Sequence, residues 1–118
     1  HEPAMLIKGS TEKNSVTELR GDGMALGMVE PALFSELIKD EVTDFSVGDL
    51  LCLFTDGVTE ATNQEKEEFG LARLKDELLQ NTGHTAQSLN QKIIRNLNKF
   101  SLQSLDRDDL TLLSVKRV

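Results

Sequence analysis

The sequence predicts a small α+β domain, and three features carry that expectation. They are the unbroken apolar run Leu50-Leu51-Cys52-Leu53-Phe54, two helical apolar stripes after it, and a closing run of strand formers, Leu110-Thr111-Leu112-Leu113-Ser114-Val115. A chain of 118 residues makes about one such domain, able to bury roughly two thirds of the surface that it exposes unfolded. The sequence has no internal repeat, low-complexity tract or interdomain linker.

Taken in order, Ala4 to Lys8 is a short apolar strand running into the polar stretch Gly9 to Ser15, with Val16 to Leu19 as its hairpin partner. Gly21, Gly23 and Gly27 punctuate the next segment, which reads as a loop needing positive φ or close approach. It is no dinucleotide fingerprint, because the glycine spacing differs and Pro31 follows where a helix should start. Phe34 to Phe45 is expected as a half-exposed strand, from the alternation of Ile38, Asp40, Val42 and Asp44. Ser46 to Asp49 is a turn into the Leu50–Phe54 strand, whose continuous apolarity predicts cover on both faces.

Thr55 to Glu68 is polar and acidic. Beyond it Leu71, Leu74 and Leu78 share one helical face, and Leu89, Ile93, Leu97 and Phe100 share another. Thr85 is placed to cap the second helix, with Gly83 just ahead of it. The strand Leu110 to Val115 then follows the acidic knot Asp106-Arg107-Asp108-Asp109.

Composition excludes several classes of function. The net charge of -7 comes from acids scattered along the chain, which disfavours nucleic acid as a partner. The lone cysteine, Cys52, lies inside an apolar strand, so it should be buried and can form no intrachain disulfide, as suits a reducing, cytoplasmic setting. No apolar run approaches the eighteen or so residues of a membrane span, so no membrane contact is expected of this segment. The chain starts at His1 with no targeting signal, and we expect that start to be a cut inside a longer protein.

Two acids stand where chemistry is possible. Asp56 lies directly beyond one core strand and Asp108 just before the other. If those strands are antiparallel neighbours, the two carboxylates share a sheet edge, where their repulsion favours a cation between them. Oxygen donors without a thiolate cluster suit Mg²⁺ or Mn²⁺ better than Zn²⁺. Spacing alone leaves a plainer reading open, in which each aspartate bonds its own turn backbone. Neither acid continues with the ligand spacing of a calcium loop.

The segment Gly48-Asp49-Leu50-Leu51-Cys52-Leu53-Phe54-Thr55-Asp56-Gly57-Val58-Thr59-Glu60-Ala61 closely resembles the signature of SpoIIE/RsbU-type bacterial phosphatases, and Asp108-Asp109-Leu110-Thr111-Leu112 resembles their closing motif. Weaker likenesses are His1-Glu2-Pro3 to the end of an Asn-Ala-Gly-His-x-Pro segment, Gly21 to Gly27 to a glycine-rich Leu-Gly loop, and Glu67-Glu68-Phe69-Gly70 to a Glu-x-Phe-Gly helix entry. These phosphatases belong to the metal-dependent type 2C group, whose fold is a four-layer αββα sandwich of two antiparallel sheets between helices. The resemblance implies that residues 1–118 are the C-terminal half of one such domain, with the N-terminal half absent.

The resemblance also implies a chemistry. Asp56 and Asp108 match metal ligands of the family, and Asp109 a less constrained neighbour. Two divalent cations, Mn²⁺ or Mg²⁺, would activate water to hydrolyse a phosphoserine or phosphothreonine ester without a covalent phosphoenzyme. The expected partners are a phosphorylated regulatory protein of the anti-anti-sigma type and a sensor or receiver domain upstream in the parent chain. Cys52, His1 and His84 are expected to have no catalytic role, and Glu60, Glu67 and Glu68 to be solvated acids. The family's Asp-Val-x-Gly-His-Gly motif, which supplies a bridging aspartate, is missing from the sequence. The 118-residue piece alone is therefore expected to be nearly inactive and to self-associate. The alternative is a noncatalytic docking domain on the same scaffold.

Overall fold

A computed structural model of the chain describes residues 2–9, 14–101 and 109–118. Four strands form one antiparallel sheet: β1 (Ala4–Lys8), β2 (Ser15–Leu19), β3 (Leu50–Phe54) and β4 (Leu112–Lys116), in the order β2-β1-β3-β4. The helices are α1 (Pro31–Leu37), the single turn α2 (Asp56–Thr59), α3 (Gly70–Gln80) and α4 (Ala86–Phe100). This is the α+β arrangement expected.

Register sorts the strand side chains. Met5 pairs with Cys52 and Ile7 with Leu50, so these four share the face that α3 and α4 cover. Leu74 and Leu78 of α3 and Leu89, Ile93 and Leu97 of α4 complete that core, each essentially solvent-free. A fully buried aliphatic side chain of this size contributes about 1.5–3 kcal/mol, so this one layer supplies most of the apolar driving force. The Thr85 hydroxyl accepts from the Ser88 amide at 3.2 Å, capping α4 as its position predicts. Phe69 and Phe100 meet edge-to-face, with centroids 5.4 Å apart, and pin the start of α3 to the end of α4.

The opposite face is not covered as the sequence implies. Leu53, Leu113 and Val115 are 41%, 52% and 44% exposed. Leu53 pairs with Leu113 and Leu51 with Val115, so this is one apolar patch on the outer side of β3 and β4. An unbroken apolar strand does record a need for cover on two sides; α3 and α4 can reach only one of them.

The strand expected over Phe34 to Phe45 is absent. Pro31 opens helix α1 from its first turn, where a missing N–H costs nothing, and the chain from Ile38 to Phe45 takes no regular form. The alternation of Ile38, Asp40, Val42 and Asp44 finds no neighbouring edge to pair with, and Val42 is 98% exposed. The segment around Gly21 to Met28 is a loop, as expected, with positive φ at Gly27. The closing strand runs two residues later than its apolar pattern suggests at the start, beginning at Leu112.

The far end of the sheet is held by a buried charge. Asp49 accepts from the Ser46 amide at 2.9 Å, the Gly9 amide at 3.1 Å and Lys8 Nζ at 2.8 Å. One carboxylate thereby joins the turn before β3 to the end of β1. Gly48 has φ +93°, and its carbonyl presses so closely on Gly9 that a Cβ there would not fit.

Candidate functional site

Antiparallel pairing brings four chain segments to the rim opposite Asp49. Ala4 faces Leu19 and Phe54 faces Leu112, so β1 and β4 begin where β2 and β3 end. Glu2, Pro3, Arg20, Phe54, Thr55, Asp56 and Glu60 line an open cleft of about 660 Å³ on this rim.

Asp56 is the first residue of α2, directly after β3. The turn is fixed locally: Val58 N donates to Thr55 O at 3.0 Å and Glu60 N to Asp56 O at 2.7 Å. Val58 is completely buried and anchors α2 to the core, while Asp56 itself stays exposed. The Thr59 hydroxyl lies 3.2 Å from both Asp56 O and Glu2 Oε1, tying α2 to the start of β1. Among the described residues, no donor engages the Asp56 carboxylate.

Thr55 binds the other side of the rim. Its backbone N donates to Thr111 O at 3.1 Å, its hydroxyl donates to Asp109 O at 2.9 Å, and that hydroxyl accepts from Thr111 N at 2.9 Å. The approach to β4 is thus stitched to the residue beside Asp56. Asp108 lies outside the described residues; the described chain resumes at Asp109.

The donors fit a hard divalent cation in kind, being carboxylate oxygens at a solvent-facing rim. In number they do not suffice: among the described residues, no group of three or more histidine, cysteine, aspartate or glutamate side chains is placed to hold a metal ion. Asp56 and Glu60 are the cleft carboxylates left without a competing donor among the described residues, whereas Glu2 is already bonded to Thr59.

The remaining sequence candidates fall elsewhere. Cys52 is buried, and loss of solvation pushes its thiol up to about 11, partly offset by a hydrogen bond with Ser114. His84 is exposed ahead of α4, where its carbonyl accepts from Lys116 Nζ at 2.8 Å. Glu60 is exposed beside the cleft and Glu68 beyond it, while Glu67 accepts from Asn63 Nδ2 at 3.0 Å. His1 is outside the described residues. Sequence reasoning passed over Arg20 and the tying role of Thr55, since both depend on strand pairing that no local pattern reveals.

Comparison with known proteins gives a consistent result. The model of the stage II sporulation protein E (SpoIIE) family matches residues 1–118. Protein IcfG of Synechocystis is 30% identical over 121 aligned positions, which cover 99% of this chain and 17% of IcfG. Among solved structures, the SiaA-PP2C domain of Pseudomonas aeruginosa superposes with a TM-score of 0.73 at 22% identity, covering 98% of this chain and 43% of that one. The phosphatase domain of the cell fate determinant SpoIIE from Bacillus subtilis gives 0.60 at 18% identity, over 98% and 46% of the two chains. A manganese-presoaked form of that domain gives 0.59 at 14% identity over the same shares. The chain therefore spans less than half of the solved domains whose fold it shares.

Proposed function

The chain belongs to the SpoIIE family, and from that premise we propose that it is the C-terminal half of a protein serine/threonine phosphatase domain, in which Asp56 and Asp108 hold two catalytic Mn²⁺ or Mg²⁺ ions. The observation that carries this reading is the antiparallel pairing of β3 with β4, which sets the end of one strand beside the start of the other. Asp56 is presented from a one-turn helix with a buried Val58, and Thr55 ties the Asp109 backbone next to it. Hydrogen bonds and burial fix these supports, as positioning of a ligand requires. When bound, two such cations would supply an acidified water and neutralise phosphoryl charge.

The protein's own groups then orient the reaction. The open cleft admits a side chain carried on another protein, and its Asp56 wall faces solvent. The remaining ligands would come from the other half of the domain, which would also cover the exposed Leu53, Leu113 and Val115. The substrate is a phosphorylated regulatory protein of the anti-anti-sigma type, and the parent chain carries a sensor or receiver domain upstream. The presence of both Asp56 and Asp108 supports hydrolysis over mere docking, since a scaffold kept only for docking has no need of the paired ligands.

The test uses the intact two-half domain. Asp56→Asn should lower Mn²⁺-dependent turnover of a phosphoserine peptide by at least about 100-fold. It should also weaken Mn²⁺ binding in calorimetry and leave the unfolding midpoint in metal-free buffer in place. Undiminished turnover would remove Asp56 from the mechanism.

A further inference from the structure

We propose that Arg20 anchors the phosphoryl group of the substrate, an inference that rests on the phosphatase reading above. Pairing of Leu19 with Ala4 brings the next residue, Arg20, to the rim where Asp56 stands, and both line the same cleft. The other charged side chains of that wall are Glu2, Asp56 and Glu60, all acids. A phosphomonoester arrives with about two negative charges near neutral pH, and even with Asp56 committed to the cations, Glu2 and Glu60 leave negative charge in its path. Arg20 is the one cation among the described residues that line it.

Its chemistry suits the task. A guanidinium presents a planar fork that matches two phosphoryl oxygens at once, which a lysine cannot do. Arg20 Nε and Nη2 both reach a single Glu18 oxygen, at 2.8 and 2.6 Å, and among the described residues Nη1 has no acceptor. This ion pair is exposed on the arginine side, and pairs of that kind hold their partners weakly. Glu18 is also held by Lys75 Nζ at 2.5 Å. When Arg20 turns from Glu18 to a phosphoryl group, Glu18 therefore keeps a cation, and no charge is stranded.

The experiment uses the intact domain with Mn²⁺ and two substrates, a phosphoserine peptide and p-nitrophenyl phosphate, with Arg20→Ala and Arg20→Lys compared with the parent. We expect KM for both substrates to rise about tenfold to a hundredfold in Arg20→Ala. The effect on kcat should be smaller, and Arg20→Lys should recover part of the loss. The inhibition constant of inorganic phosphate should rise in parallel, with Mn²⁺ affinity by calorimetry unchanged. If Arg20→Ala is unstable in thermal unfolding, Arg20→Gln replaces it in the same measurements.

An unchanged KM for p-nitrophenyl phosphate, with unchanged phosphate inhibition, overturns the inference. That includes the outcome in which only the peptide KM rises, which would assign Arg20 to the flanking peptide. Asp56→Asn is measured alongside. If it stays active, the phosphatase reading fails and takes the Arg20 inference with it; if it is dead while Arg20→Ala matches the parent, only the Arg20 inference fails.

Discussion

Lys8 Nζ stands 2.8 Å from Asp49 Oδ2, and the Asp49 side chain of that pair is fully buried. The Lys8 partner, with the Ser46 and Gly9 amides, holds the Asp49 carboxyl below its ordinary value of 3.8. A carboxyl depressed by folding adds stability above its unfolded pKa and loses that contribution as pH falls through the folded value. Asp49→Asn should therefore lower the unfolding midpoint by several degrees at pH 7. The gap from the parent should begin to narrow below about pH 4, where the carboxyl of the unfolded chain takes up its proton, and close as pH falls through the lower folded value. Thermal melts across that range check this.

Thr55 predicts a separation between rate and stability. Thr55→Val keeps the shape of the side chain but removes the hydroxyl that bonds Asp109 O and Thr111 N. Loss of the two bonds should cost about 1–2 kcal/mol. In the intact domain, activity and Mn²⁺ affinity should drop by about 10–100-fold, as expected when support behind a ligand is lost. Denaturant titration and calorimetry on the same variant compare the two effects.

Cys52 should be inert in the folded protein. Its thiol is buried and pushed up to about 11, so little thiolate exists at pH 8. Iodoacetamide should leave it unmodified in native buffer and label it fully in guanidinium. Cys52→Ala should leave turnover by the intact domain unaltered.

In the core, Ile93 is completely buried on the inward stripe of α4. Ile93→Ala should destabilise by about 2–5 kcal/mol, through lost transfer energy and the cavity left behind. Val42→Ala, at an exposed site, should change stability by no more than about 0.5 kcal/mol. Chemical denaturation of both variants supplies the comparison.

The apolar outer face of β3 and β4 should make the isolated 118-residue piece associate with itself. Sedimentation velocity should show mass increasing with concentration, and Leu53→Lys with Val115→Lys should suppress it. The same piece should show little or no Mn²⁺-dependent hydrolysis.

Much of this organisation is written locally. The Leu50–Phe54 strand, both long helices and the Thr85 cap follow from apolar spacing and turn chemistry, although only the inner face of that strand meets its packing partners. The Ile38–Phe45 segment shows the limit: an alternating pattern makes a strand only when an edge is available to bond it, and none is offered there. The position of Asp56 just beyond a core strand was legible, while its choice as a candidate ligand rested on the resemblance carried by Gly48 to Ala61. Arg20 was not legible, since it gains meaning only when β2 folds back along β1, and Asp49 read as a turn residue until Lys8 came to it across the sheet.

The charged staple at Asp49 and the rim at Asp56 cap opposite ends of β3, a strand about 17 Å long. Shelf life and turnover can therefore be engineered on separate libraries. Variation from Phe45 to Asp49 should tune how long the protein survives storage, and variation at the exposed or cleft-lining Glu2, Arg20 and Glu60 how fast it works. Gains from the two sets should combine, because the length of β3 lies between them.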